Sequence, residues 1–195
     1  MFSISLLLNG EAHIEPAQCE DYTIGACEVA PDGSKNLVYD EGLDDIRSLL
    51  SDACEVLEES QALAFHVEGF GQSDWPVDVS TDLLTVIEQL PALLSWLDSG
   101  HAGEFPLDFY EQGIQRSLIF QRMNTDVRAT CISGTEWHPV PKDEFIELSN
   151  LDYMFTELVR TFVRSVNRIC PDVAGHEWFH AWCRPESLQR RLDAD

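Results

Sequence analysis

The sequence predicts an α+β or α/β fold: a mainly antiparallel sheet of five to seven strands packed against three principal helices. Three observations lead there. Apolar residues alternate with period two in short runs at the N-terminus and between 104 and 133, the pattern of half-buried strands. They recur at spacings of three and four over 42–58, 80–97 and 149–169, the pattern of amphipathic helices. The chain has 195 residues and is 44% hydrophobic, which fits one globular domain spanning 1–195 with its helix stripes and sheet faces buried against one another.

Phe2, Ile4, Leu6 and Leu8 alternate in a first strand. TIGACEV at 23–29 and NLVY at 36–39 give two more, joined by the turn-forming PDGSK. From Leu43 the period changes. Leu43, Ile46, Leu49, Leu50, Ala53, Val56 and Leu57 form the inner stripe of a helix whose outer face is acidic. ALAFHVEG follows as an interior or near-interior strand, and GFGQSDWPVDV at 69–79 as a loop in which Gly69 and Gly71 permit unusual backbone angles. Ser80 has the chemistry of a cap for the second helix, which Pro91 is expected to kink or divide. Strands around Phe105–Phe109, Leu118–Phe120 and Val127–Cys131, with turns at EQG and NTD, make an antiparallel meander. Its second face mixes Asp108, Tyr110, Ile119, Arg128 and Thr130, so helices are expected to cover the sheet only in part. Trp137–Pro141 reads as a rigid connection. Ser149 and Asp152 have capping-box spacing before the longest apolar stripe, Leu151 to Ile169, which ends at Cys170 and Pro171. A short helical or irregular tail closes the chain.

The charge is distributed unevenly. Residues 1–100 carry twenty Asp or Glu against Lys35 and Arg47, about −18 of a formal −23. A surface of that sign repels nucleic acid and anionic membrane and attracts basic proteins. No run approaches the 18 or so apolar residues of a membrane span, and the start has no basic segment of the secretory kind. The expected location is therefore the cytoplasm. Cys19, Cys27, Cys54, Cys131, Cys170 and Cys183 form no CxxC pair and are expected to stay reduced.

Motifs for catalysis are sparse. HEWFH at 176–180 matches HExxH, in which two imidazoles one helical turn apart bind zinc and the Glu polarises water. Trp178, Phe179 and Trp182 argue instead for a terminal helix packed on the core, so no metal ligand and no catalytic residue is assigned. GFGQ lacks the spacing of a phosphate loop and SGTEW is no nucleophile elbow, so no cofactor is expected. The remaining candidate is an interaction surface. Glu68, Asp74, Trp75, Asp78 and Asp82 cluster around the glycine-containing loop, with Glu104, Tyr110 and Glu111 in the meander. An aromatic group ringed by carboxylates suits a basic protein partner, where charge speeds association and desolvated contacts hold it.

The segments WPVDVSTDLLTVIEQLP and DFYEQGIQRSLIF, within residues 60–165, resemble in general style the bacterial immunity proteins of polymorphic or contact-dependent toxin systems. That resemblance implies a cytoplasmic, non-enzymatic protein that neutralises a cognate toxin domain by direct contact. It carries over no residue. A zinc-dependent hydrolase centred on HEWFH and a scaffold or assembly protein are the alternatives.

Overall fold

The computed structural model describes residues 1–9, 27–29, 35–37, 39–40, 43–100, 102–110 and 114–193. Cys19, Glu111 and the EQG turn lie outside them, as do parts of the strands expected at 23–29 and 36–39. The order is β1 (Ser3–Leu8), β2 (Cys27–Val29), β3 (Lys35–Leu37), α1 (Ile46–Glu59), β4 (Leu63–Glu68), a π-helical turn (Val79–Leu83), α2 (Leu84–Ser99), β5 (Glu104–Phe109), β6 (Arg116–Met123), β7 (Asp126–Ser133), β8 (Asp143–Glu147), α3 (Leu148–Ile169), α4 (Pro171–Gly175), α5 (Glu177–Cys183) and α6 (Glu186–Asp193). The class is α+β.

All strand pairing among the described residues is antiparallel. It is divided among a four-stranded sheet, β5-β6-β7-β8, and two pairs, β1-β4 and β2-β3, where one sheet of five to seven strands was expected. The reason lies just after β4. The Phe70 N–H donates to the Glu144 carboxylate at 2.6 Å and its carbonyl accepts from Val140 N at 2.9 Å. A side chain and a connecting segment, in place of a strand ladder, thus link the β1-β4 pair to the larger sheet.

The meander forms as its alternation requires, with Asn124 at φ 57° in the tight turn between β6 and β7. A fourth strand, β8, joins it in register, Val127 opposite Ile146 and Arg128 opposite Phe145. The inner face holds Leu107, Phe109, Leu118, Phe120, Val127 and Ala129, each 0% exposed. The other face is open to solvent at every position from half-buried to fully exposed.

Leu151, Phe155, Leu158, Val159, Phe162 and Val166 of α3 are buried, and Phe155 meets Phe120 edge-on at 6.0 Å. Fully burying aromatic and aliphatic side chains of this size contributes about 1.5–3 kcal/mol each, so this stripe, laid mainly against β1 and reaching the four-stranded sheet at Phe120, is a principal stabilising contact. Helix α2 runs unbroken through Pro91. The Ile87 carbonyl loses its usual intrahelical donor there, but Leu90, Leu93 and Leu94, all 0% exposed, hold both halves in the core.

Several local expectations change. Leu43 precedes α1 and is 87% exposed, because Asp45 caps the helix by accepting from Arg47 N at 2.8 Å. Asp78, in place of Ser80, caps the π-helical turn. Asp152 makes no capping box with Ser149, since it is drawn to Arg191. The strand expected in or near a sheet interior, β4, pairs among the described residues on one edge only, with β1. At the outer edge of the sheet, the Gln89 side chain of α2 donates from Nε2 to the Asp108 carbonyl at 2.9 Å and accepts from Asp108 N at Oε1 at 3.0 Å.

Candidate functional site

The loop after β4 turns through three residues of positive φ: Gly69 (131°), Phe70 (55°) and Gly71 (83°). A Cβ on Gly71 would lie 2.1 Å from the Val140 carbonyl oxygen, so only glycine fits that turn. The returning chain lays Trp75 N on the Val67 carbonyl at 2.8 Å and sends the indole inward. Trp75 is 2% exposed, donates from Nε1 to the Gly69 carbonyl and packs on Phe70, Phe109 and Trp137. The aromatic centre expected at the surface is therefore a core residue, buried because the tight turn reverses the chain before it.

Trp75 has a charged neighbour. Arg116 is 5% exposed, and its guanidinium carbon lies 4.2 Å from the Trp75 ring centroid and 3.6 Å from that of Trp137. Nη2 donates to Gln72 Oε1 at 2.9 Å, while Nε and Nη1 find no hydrogen-bond partner among the described residues. Burial lowers its pKa from the ordinary arginine value. Two indole faces replace part of the lost hydration by cation–π attraction, so this arginine is committed to holding the end of the core.

The carboxylates separate into distinct roles. Asp82 is 3% exposed and accepts from Asp78 N at 3.1 Å. Asp78 Oδ1 accepts from Thr81 N, Asp82 N and the Thr81 hydroxyl at 2.7, 3.2 and 2.8 Å. Burial pushes its pKa up, but these hydrogen bonds outweigh burial and leave it below the usual carboxylate value. Glu58 accepts from Val79 N at 2.7 Å and Ser80 N at 3.2 Å. Three acids thus satisfy the free N–H groups where the π-helical turn begins. Asp74 is 80% exposed, 3.3 Å from His66 Nδ1, and Glu68 ends β4 half-buried.

The two described residues predicted in the meander are apart. Glu104 and Tyr110 flank the length of β5, roughly 20 Å from one another at strand rise. Tyr110 donates to Glu88, and Arg47 lies over its ring at 5.3 Å while pairing with Glu88 at 3.3 Å. The structure therefore brings Asp74 and Asp78 to one exposed corner and buries Trp75 and Asp82. It places Glu104 and Tyr110 elsewhere.

Glu55, Glu58 and Glu59 join these acids: they are exposed on α1 at i, i+3 and i+4 and so share one face. Their spacing was the available signal. Glu58 joins that face to Asp78, and none of the four pairs with a Lys or Arg among the described residues. From 48 to 115 the sequence holds thirteen Asp or Glu and no Lys or Arg.

HEWFH is divided by a helix boundary. His176 is the N-cap of α5, its Nδ1 accepting from Trp178 N at 3.2 Å, with its ring against Tyr39 and Trp178. His180 is exposed within α5. No three His, Cys, Asp or Glu side chains among the described residues are placed to hold a metal ion. Cys54, Cys131, Cys170 and Cys183 are free thiols, and burial pushes Cys131 and Cys183 up to about 11, far from the thiolate form.

No helix among the described residues is long and apolar enough to cross a membrane. No family model, curated protein or solved structure matches the chain.

Proposed function

We propose that the protein is a non-enzymatic, cytoplasmic binding protein of the immunity type, which neutralises a cognate toxin domain by direct contact with a basic partner that its acidic surface attracts. The observation that supports this reading is the acid-only span from 48 to 115, with Glu55, Glu58, Glu59, Asp74 and Asp78 exposed and Asp78 held ionised by its hydrogen bonds. Fixed carboxylates of one sign raise the encounter rate with a cationic protein and oppose association with nucleic acid.

Native mass spectrometry of the protein isolated from its own cells tests it. A one-to-one complex with a basic protein is the expected result; one zinc per chain and no partner overturns the reading in favour of HEWFH chemistry. In that complex, raising NaCl from about 50 to about 500 mM is expected to weaken association at least about tenfold by screening. An affinity indifferent to salt contradicts an electrostatic mode.

A further inference from the structure

The acidic corner is not the best-formed docking surface, because Glu58, Asp78 and Asp82 are engaged as helix caps. The open face of the four-stranded sheet is built differently. Its cross-strand rows are set by register: Asp108–Ser117–Ile132, Pro106–Ile119–Thr130–Asp143, Glu104–Gln121–Arg128–Phe145, and Met123–Asp126–Glu147. Apolar side chains lie across it, with Phe145 58% exposed, Ile132 49% and Met123 46%, around a half-buried Ile119. Five carboxylates, Glu104, Asp108, Asp126, Asp143 and Glu147, surround them; Asp108 accepts from the Ser117 hydroxyl and Asp143 from the Thr130 hydroxyl, which leaves Glu104, Asp126 and Glu147 to an incoming partner, and Arg128 is the one Lys or Arg in these rows.

Asp126 and Glu147 stand directly opposite across β7 and β8. Like charges in that position repel. The first turn of α3 offsets part of the repulsion, yet Glu147 makes no side-chain cap bond to it. Arg128 turns aside to Gln121 Oε1 at 2.5 Å. A cation supplied from outside would satisfy both carboxylates. A second copy of this chain would bring another net-negative face, and nucleic acid or anionic lipid has the wrong sign.

We infer that this open sheet face is the docking surface, and that its occupant is a basic protein surface with an apolar centre ringed by Lys or Arg. Phe145 and Ile119 meet that centre, and one cation lies between Asp126 and Glu147. The inference rests on the binding function proposed above and assigns its surface.

The probe is a fluorescein-labelled eight-residue peptide of alternating Arg and Leu, titrated into the full chain at low and high salt. Two double variants each change net charge equally: Asp126→Lys with Glu147→Lys on the open face, and Glu59→Lys with Asp74→Lys at the corner. The expected result is saturable, salt-sensitive binding that the open-face pair weakens about tenfold or more and the corner pair less than about threefold. Phe145→Ala, a surface substitution that spares the core, is expected to weaken binding at least about threefold through the apolar centre. If the corner pair weakens binding as much as the open-face pair and Phe145→Ala changes nothing, the inference falls while an acidic binding function stands. If wild-type protein shows no salt-sensitive binding, both fall.

Discussion

Replacing Arg191 by Ala is expected to destabilise the protein by about 2–3 kcal/mol, the usual loss when hydrogen bonds to charged groups are removed and the carboxylates left behind, Asp98 26% and Asp152 43% exposed, regain water, and to lower Tm by roughly 8 °C. Arg191 is 8% exposed and donates to both Asp98 oxygens at 3.0 Å, to Asp152, to the Ser187 carbonyl at 2.7 Å and to Thr156 Oγ1 at 3.2 Å. That one guanidinium ties α6 to α2 and α3. Arg191→Lys keeps the charge but loses the planar fork, so its loss should be intermediate. Thermal unfolding followed by circular dichroism measures both; a loss under about 1 kcal/mol for Arg191→Ala would mean that the cluster is a solvated surface pair.

The same cluster sets an acid limit. Burial pushes the Asp98 pKa up, but the hydrogen bond and charge of Arg191, with Arg190 adding to them, hold it below the usual carboxylate value. A carboxyl whose folded pKa is depressed contributes stability that is complete above its unfolded pKa of about 4 and is lost as pH falls through the lower folded value. Stability from this source should be flat near neutrality and decline below about pH 4. In Arg191→Ala that acid decline should shrink, and a decline of unchanged size would assign it to other groups.

Trp75→Ala is the second substitution with a large expected effect, about 3–5 kcal/mol for emptying an aromatic core position. It removes contacts to Phe70, Phe109 and Trp137 and one of the two rings that enclose Arg116. Trp75→Phe should lose less, because a ring still faces the guanidinium. Urea unfolding is expected to show a lower midpoint with little change in slope. If Trp75→Ala leaves the midpoint in place but abolishes partner binding, Trp75 is a surface anchor after all.

The parts of this fold that were legible in the sequence are those where burial and periodicity coincide. Phe105–Phe109, Leu118–Phe120 and Val127–Cys131 alternate cleanly and pair as the meander, and the stripe from Leu151 to Ile169 is the buried side of α3. β8 was hidden because Glu144 occupies one of its two buried positions, breaking the apolar alternation of DEFIE. That glutamate is tolerated inside because it accepts from Phe70, 74 residues earlier in the chain. Asp152 was misplaced for the same reason, since its partner Arg191 is 39 residues away. Local spacing carries no information about such contacts. At the candidate site, acidity and the helix face of Glu55, Glu58 and Glu59 were readable. The burial of Trp75 was not, since it depends on a turn whose direction is set by the approach of Val140.

The clasp of Gln89 on Asp108 closes the sheet at β5. In an antiparallel strand, Glu104, Pro106 and Asp108 direct their backbone groups to the same edge; proline offers no N–H there, and the Asp108 pair is occupied by an amide that imitates a neighbouring strand. Unguarded strand margins recruit further chains and seed aggregates. Here one glutamine and one proline seal that margin, so the uncovered, partly apolar face of the same sheet can stand in water without its β5 edge recruiting a further strand.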